Sequence, residues 1–324
     1  MPNDEHVVLV GSAGTGTAFG AISALRRGWD DRVKIVAMDI NPRHLVAASV
    51  LSDVCEQVPL SSTPEFERVL LDLIQRYKVD TYVPLVDTEI VFSARLRDQK
   101  KLPSKMHLLA PPTKSAELCL DKLATYEWLT QEGIETPATF PLKSAPSREF
   151  WFFKPRYGFG SLDARLVTAN EISQLTEALR QTSVVQEPCE RPEITVDVLY
   201  NEESDLCRVA CRERVETKEG VCTKARIFSD SAITNLAEKI GRGLKFRGGF
   251  CFQVMVGPKE QWLVTDINAR LGAGTAMSAA AGMDFFAAAF ASEWGEDAAP
   301  FVPQPSRTYH VLRQYSEYVT EIKG

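Results

Sequence analysis

The sequence predicts an α/β domain over residues 1–110 followed by an α+β region over residues 111–324. Three observations carry this. Apolar runs alternate with helical periodicities through the first third. Strand-like runs then follow one another without helices between them, the mark of antiparallel pairing. The 324 residues also suit about two domains at roughly 150 residues each.

Taken in order, Val7–Val10 is a short apolar run ending in Gly11, and Ala13–Arg27 reads as a helix. Val33–Met38 is a second run, closed by Asp39. In Pro64–Val79 the residues Phe66, Val69, Leu70, Leu73, Ile74 and Tyr77 share one helical face. Thr81–Val86, Thr88–Leu96 and His107–Ala110 continue as strand, helix, strand, the repeat that builds a parallel sheet covered by helices. Pro111–Pro112 sets the boundary, since proline continues neither a helix nor a central strand.

Beyond it, Lys114–Gln131 reads as one helix stopped at Gly133. Trp151–Lys154 and Arg165–Thr168 are strands around a Gly-rich turn, and Asn170 is placed to cap a helix over Glu171–Leu179. Val184–Glu187, Ile194–Tyr200, Leu206–Glu213 and Val221–Phe228 are successive strands. Ser229–Leu244 is a helix, Phe250–Val256 and Gln261–Ile267 are strands, and Thr275–Trp294 is an Ala-rich helix. Arg307–Gly324 reads as a short tail.

Composition excludes several classes. Hydrophobic residues are 44% and charged residues 25%, the ordinary globular mix. The net charge of -6 gives no reason to expect nucleic acid or an anionic membrane as a partner. No apolar run approaches the roughly 20 residues of a membrane span. Acids stand in the first ten residues where a signal peptide carries bases, so a cytoplasmic protein is expected. The seven cysteines (55, 119, 189, 207, 211, 222 and 251) are scattered without a C-x-x-C, as expected of core thiols. Only four histidines exist, none at metal spacing, which leaves little for a zinc site or a His-based triad.

Four local constellations carry chemistry. Gly11-Ser12-Ala13-Gly14-Thr15-Gly16 lies between a strand and a helix, where glycines let backbone approach an anion. Its spacing is not the strict dinucleotide fingerprint, and a tight turn without ligand explains it equally well. Phe152–Ser161 places Lys154 at the end of an apolar strand and follows it with Gly158, Gly160 and Ser161. A fixed cation beside a closing loop suits phosphate, although a surface lysine before a hairpin would read the same. Val185-Gln186-Glu187 with Glu193–Asp197 offers a strand edge for adenine and a carboxylate for ribose, or merely a hairpin with solvated acids. Finally, Gln253 lies on one strand and Asp266-Ile267-Asn268-Ala269-Arg270 on the next. Alternation puts Asp266, Asn268 and Arg270 on one face. Hard oxygen ligands suit Mg²⁺, and a neighbouring guanidinium suits phosphate.

The order and spacing of these motifs, with Asp121-Lys122 and Gly133–Pro137, resemble the ATP-grasp superfamily. The likeness is to the branch containing the large subunit of carbamoyl-phosphate synthetase, and it covers essentially the whole chain. The resemblance implies a Rossmann-like pre-ATP-grasp domain over 1–110 and an ATP-grasp fold over 111–324, with a small lid subdomain near 145–187. It implies that Lys122 and Lys154 hold the phosphates of ATP and that Gly158, Gly160 and Ser161 belong to the lid loop. Gln186 and Glu187 stand at the adenine hinge and Glu193 at the ribose. Gln253, Asp266 and Asn268 correspond to ligands of two Mg²⁺ ions, for which Mn²⁺ can substitute, and Arg270 steadies the transferred phosphoryl group. Gly11, Lys224, Gly274 and Thr275 fall where the resemblance places the acceptor substrate. One position departs from the pattern. Asp266 replaces the usual Glu and is about 1.5 Å shorter in reach.

The activity so implied is an ADP-forming carboxylate–amine ligase. A carboxylate attacks the γ-phosphate, and an amine then displaces phosphate from the acyl phosphate. Such chemistry needs positioning and charge neutralisation, not a covalent nucleophile. The chain corresponds to a single such unit, whereas the complete synthetase subunit has two. It therefore resembles the stand-alone relatives that join an acid, often an amino acid, to an amine. Two other readings are set beside it. A nicotinamide-dependent oxidoreductase would use Gly11–Gly16 and leave Lys154, Gln253 and Asp266–Arg270 unexplained. A nucleotide-binding regulator without catalysis has only Asp266 in its favour. The apolar helix around Met283–Ala291 leaves room for a homodimer.

Overall fold

A computed structural model describes residues 6–158, 164–218, 220–305 and 307–320. The first strand, β1 (His6–Val10), ends in a turn from which α1 (Gly16–Trp29) starts. The helix begins later than Ala13 because the Thr15 hydroxyl accepts from the Ala18 N–H at 3.2 Å and takes the cap. β2 (Val33–Asp39), β3 (Val54–Gln57), α2 (Glu65–Tyr77), β4 (Thr81–Val83), α3 (Asp87–Asp98) and β5 (His107–Leu108) follow. The strands pair in parallel in the order β3-β2-β1-β4-β5. The order changes direction between β1 and β4, so the Gly11–Thr15 turn lies at the switch point where such sheets bind ligands. β3 has no counterpart among the expected strands, because its short half-buried run lacks a clear apolar pattern.

The expected single helix over 114–131 is two, α4 (Thr113–Leu120) and α5 (Lys122–Gln131). Asp121 between them is extended (φ -100°, ψ 107°), and its carboxylate accepts from the N–H groups of Leu123 and Ala124. An acid that caps the next helix thus interrupts a continuous helical pattern.

β6 (Thr139–Pro141), β7 (Phe150–Pro155), β8 (Arg165–Thr168), α6 (Ala169–Gln174), α7 (Glu177–Thr182) and β9 (Ser183–Gln186) form a small antiparallel unit in strand order β6-β9-β7-β8. It begins at Thr139, ahead of the expected 145. Thr168, not Asn170, caps α6, in a reciprocal pair with Glu171.

The chain then builds β10 (Glu190–Asn201), β11 (Leu206–Lys218), β12 (Val221–Phe228), α8 (Ser231–Gly243), β13 (Gly248–Val256), β14 (Trp262–Asn268), α9 (Thr275–Ala280), α10 (Phe285–Glu293) and β15 (Tyr309–Leu312). These strands form an antiparallel sheet in the order β14-β13-β10-β11-β12-β15. α8 covers one face, where Ile194, Val196, Phe252 and Val264 meet Ile233 and Ile240. The expected Ala-rich helix breaks into α9 and α10 at Gly282 (φ 89°), and Asp284 caps α10. β15 corrects the reading of the C-terminal segment as a tail, since it pairs with β12.

Candidate active site

The second face of the large sheet carries the polar and charged side chains singled out in the sequence. Strand register sets Asp266 opposite Gln253, Gln253 opposite Thr195 and Thr195 opposite Arg212. Asn268 lies opposite Cys251, one pleat further along. The apolar residues of the same strands, Val254, Val264 and Ile267, are buried on the α8 side. The bulge between Gln253 and Val254 leaves Thr265 extra on β14, so Val264 and Ile267 share a face despite their odd spacing.

Two lysines converge on the Asp266 end of this row. Lys122, first residue of α5, brings Nζ to 3.7 Å from Asp266 Oδ1 and donates to the Gly158 carbonyl at 3.2 Å. Lys154, on β7, is buried and donates to Gln186 Oε1 and to the Thr265 carbonyl, both at 3.1 Å. Among the described residues no carboxylate lies within ion-pair distance of Lys154. Burial therefore pulls its ammonium down to about 8, with Asp266 acting against the fall. Gln186 is held in turn by donating to the Thr139 hydroxyl at 3.0 Å. Arg270 follows β14, and its Nε donates to Asp87 Oδ1 at 3.1 Å across the two domains.

Residues 119–274 match the family model of the ATP-grasp domain. That stretch, just under half of the chain, is similar to an ATP-grasp domain. Solved structures agree at the level of fold. N5-carboxyaminoimidazole synthetase from Staphylococcus aureus complexed with ADP has 15% identity and a TM-score of 0.74, covering 93% of this chain and 79% of that one. Carboxyaminoimidazole ribonucleotide synthase from Aspergillus clavatus complexed with ATP has 14% identity and a TM-score of 0.74, covering 96% and 82%. L-amino acid ligase from Bacillus licheniformis has 16% identity and a TM-score of 0.71, covering 94% and 79%. These likenesses are of fold alone and do not single out the carbamoyl-phosphate synthetase branch. No curated protein matches the sequence. Among the described residues no helix is long and apolar enough to cross a membrane.

The remaining expected residues of the ATP-grasp site fall in three groups. Gly160 and Ser161 of the lid loop lie outside the described residues, and Gly158 stands at their edge. At the hinge, the Glu187 carboxylate binds Arg148 at 2.6 Å while its N–H donates to Ala138. Glu193 is paired with Arg214. The acceptor candidates need correction. Lys224 pairs with Glu216 at 2.8 Å, and its neighbour Ala225 packs with Met277 under α9, so Lys224 points away from the site face. Thr275 is fully buried and donates to Asp197 at 2.8 Å, a structural bond. A Cβ on Gly274 would come within 2.2 Å of Arg212 Nη1, so this glycine is there to admit the arginine.

Gly11 likewise reports a side chain that the sequence reading missed. A Cβ there would sit 1.8 Å from Glu89 Oε1. Glu89, buried on α3, accepts from the Ser12 hydroxyl at 2.8 Å and from the Tyr82 hydroxyl at 2.6 Å. Burial raises its carboxyl to about 7. Asp39 accepts from the Gly14 N–H at 2.7 Å and from Asn41. The space and the backbone donors that a dinucleotide phosphate would use are taken by two carboxyl groups, which argues against the oxidoreductase reading. Asp121, named in the sequence beside Lys122 but given no role there, is the other. Burial pushes its carboxyl up, but Arg156, the Ala124 N–H and Tyr157 outweigh this and hold it below its usual value.

Proposed function

We propose that the protein is an ATP-dependent ligase. It activates a carboxylate as an acyl phosphate with release of ADP and joins the acyl group to an amine. The observation that carries this is Lys154: a buried ammonium, without a carboxylate partner among the described residues, beside the Asp266 strand. A buried cation is costly unless an anion meets it, and the triphosphate of ATP is that anion. The solved structures complexed with ADP and ATP share this fold, which supports the reading.

In it, Lys122 and Lys154 orient the phosphate chain from opposite elements, and Gln186 keeps Lys154 aimed. At the hinge, Pro188 has no N–H, so Cys189 supplies the donor for adenine after Glu187. Arg270, steadied by Asp87, neutralises charge that grows on the transferred phosphoryl group. The segment after Gly158 excludes water, which would otherwise hydrolyse the acyl phosphate.

The donor set fits Mg²⁺: one carboxylate (Asp266) directly across from one amide (Gln253), with Asn268 on the same face. Asp266, Gln253 and Asn268 would hold Mg²⁺, which would neutralise phosphate charge; a second ion is expected at the same set, and Mn²⁺ could substitute. Calorimetric titration with a non-hydrolysable ATP analogue, with and without Mg²⁺ and against NAD⁺, tests the site. Mg²⁺-dependent binding of the analogue is expected, and binding of NAD⁺ alone would overturn the ligase reading. ADP release that is absent with every carboxylate, yet appears in Asp266→Glu, would identify a regulator that has lost catalysis.

A further inference from the structure

A groove of about 1280 Å³ runs along the seam between the first domain and the rest of the chain, beside β5, the edge strand of the parallel sheet. It is separate from the candidate active site: Lys122, Lys154, Gln253 and Asp266 take no part in its walls. Five bases line it, from both sides of the seam. Arg97 and Lys100 stand at and just past the end of α3, Lys114 is in the first turn of α4, and Lys245 and Arg247 follow α8. The whole chain carries a net charge of -6, so the sign is reversed here.

The two acids that line the groove are already engaged. Asp98 pairs with Arg97 at 3.6 Å and accepts from the Thr113 hydroxyl at 2.7 Å. Glu293 lies 3.1 Å from His107 Nδ1. Arg247 reaches Glu203 at 3.4 Å, an exposed pair of little strength. Among the described residues the ammonium groups of Lys100, Lys114 and Lys245 make no ion pair and no hydrogen bond. Two of these lysines start from fixed points. Lys100 and Lys245 are in the left-handed conformation (φ 57° and 52°), and their N–H groups donate to the carbonyls of Arg97 and Arg242 at 2.9 and 3.1 Å. Arg97 is pinned as well, through Nη1 and Nη2 to the carbonyls of Ala110 and Pro111, both at 2.8 Å. Exposed lysines scattered singly need no partner. Here bases from separate segments converge on one hollow, where like charges raise the local potential and draw in anions.

We propose that this groove binds a phosphorylated small molecule, at a site distinct from the nucleotide site at Lys154. Seams between domains are common places for ligands, and ordinary ligand sites occupy roughly 300–1,000 Å³, so the groove has room for several phosphate groups and their water. Ammonium groups on three segments are separated point charges. They suit the spread oxygens of more than one phosphate, whereas a lone planar carboxylate is better met by one guanidinium fork. Because the bases stand on both sides of the seam, one ligand bridges the two parts of the chain.

The test is calorimetry on the full chain with inorganic triphosphate as the probe, in buffer without Mg²⁺. One equivalent should bind. The triple variant Lys100→Gln/Lys114→Gln/Lys245→Gln should bind it at least tenfold more weakly. A control triple variant, Lys78→Gln/Lys218→Gln/Lys259→Gln, removes the same charge from exposed lysines outside the groove and should stay within twofold of wild type. Lys154→Met should also stay within twofold. All the replaced groove lysines are exposed, and an unchanged melting temperature certifies the fold of each variant. The proposal is overturned if triphosphate does not bind, if both triple variants weaken it alike, or if Lys154→Met abolishes binding, which would put the probe at the nucleotide site. Citrate binding as tightly as triphosphate would overturn the assignment to phosphate. In the Lys154→Met protein, uridine triphosphate and fructose 1,6-bisphosphate run as competitors tell a nucleotide from a sugar phosphate. Failure of MgADP to bind wild type would count against the ligase reading alone, since the triphosphate series needs no nucleotide.

Discussion

Lys154 and Glu89 are both buried and titratable, yet they make opposite predictions. Lys154 is a cation held without a counter-charge. Lys154→Met should leave the nucleotide-free protein as stable as wild type or more so, because an unpaired buried charge is removed. The same change should weaken MgADP by tenfold or more, measured by calorimetry. A fall in stability equal to that of an ordinary core mutation would show that Lys154 serves the fold instead. Glu89 has its pKa raised by burial to about 7. Between its unfolded value and about 7 the folded state holds a proton that the unfolded chain has released. Its favourable contribution is thus fully present at acid pH and is lost as pH rises through 7. Urea unfolding at pH 5 and pH 8 should show Glu89→Gln gaining on wild type by up to about 3 kcal/mol over that range. Equal pH slopes would refute this. Lys154, Gln253 and Asp266 were legible in the sequence because a strand and its turn advertise them locally. Glu89 and Asp87 were not, since their partners Ser12 and Arg270 lie 77 and 183 residues away.

At the scale of elements, the sequence pattern located most strands and helices and mistook continuity for unity in three helices. Helical periodicity ran through Asp121, Leu175 and Gly282 because neighbouring turns happen to keep phase. The break at each is decided by a cap, and Asp121 shows how much can rest on one. Its carboxylate caps α5, pairs with Arg156 and accepts from Tyr157, joining the helix that carries Lys122 to the strand end beyond Lys154. Asp121→Ala should cost about 2–3 kcal/mol, from the lost cap plus charged hydrogen bonds. Native-state hydrogen exchange should show the α4–α5 junction opening first. Uniform protection along both helices would contradict the assignment. Gly11→Ala belongs to the same scale. The methyl has no room above Glu89, so the β1–α1 turn must shift, at about 1–3 kcal/mol by overpacking. A melting temperature unchanged from wild type would show that the turn yields freely.

The whole molecule shares a core across the boundary that the sequence suggests. Pro111–Pro112 does separate the parallel sheet from the two antiparallel ones, but the core crosses that line. Phe285, Phe286 and Phe290 of α10 pack in one cluster with Val8, Ile22, Leu25 and Ile35 of the first domain. Phe286 lies so close to α1 that a Cβ on Gly20 would be 3.0 Å from its ring. Hydropathy marks α10 as apolar all round but cannot say against what, so the shared core was not legible. A fragment of residues 1–110 should therefore fail to give a cooperative unfolding transition, whereas the full chain gives one by circular dichroism. A fragment that melts sharply by itself would restore the two-domain division. The placement of α10 also bears on the order in which the chain is made. During synthesis the first domain emerges with one face of its core uncovered. The helix that closes it comes about 250 residues later, on the order of 12–50 s at ordinary elongation rates. Through that interval β1, α1 and β2 must wait with apolar surface exposed, and the nascent chain is at its most vulnerable to aggregation.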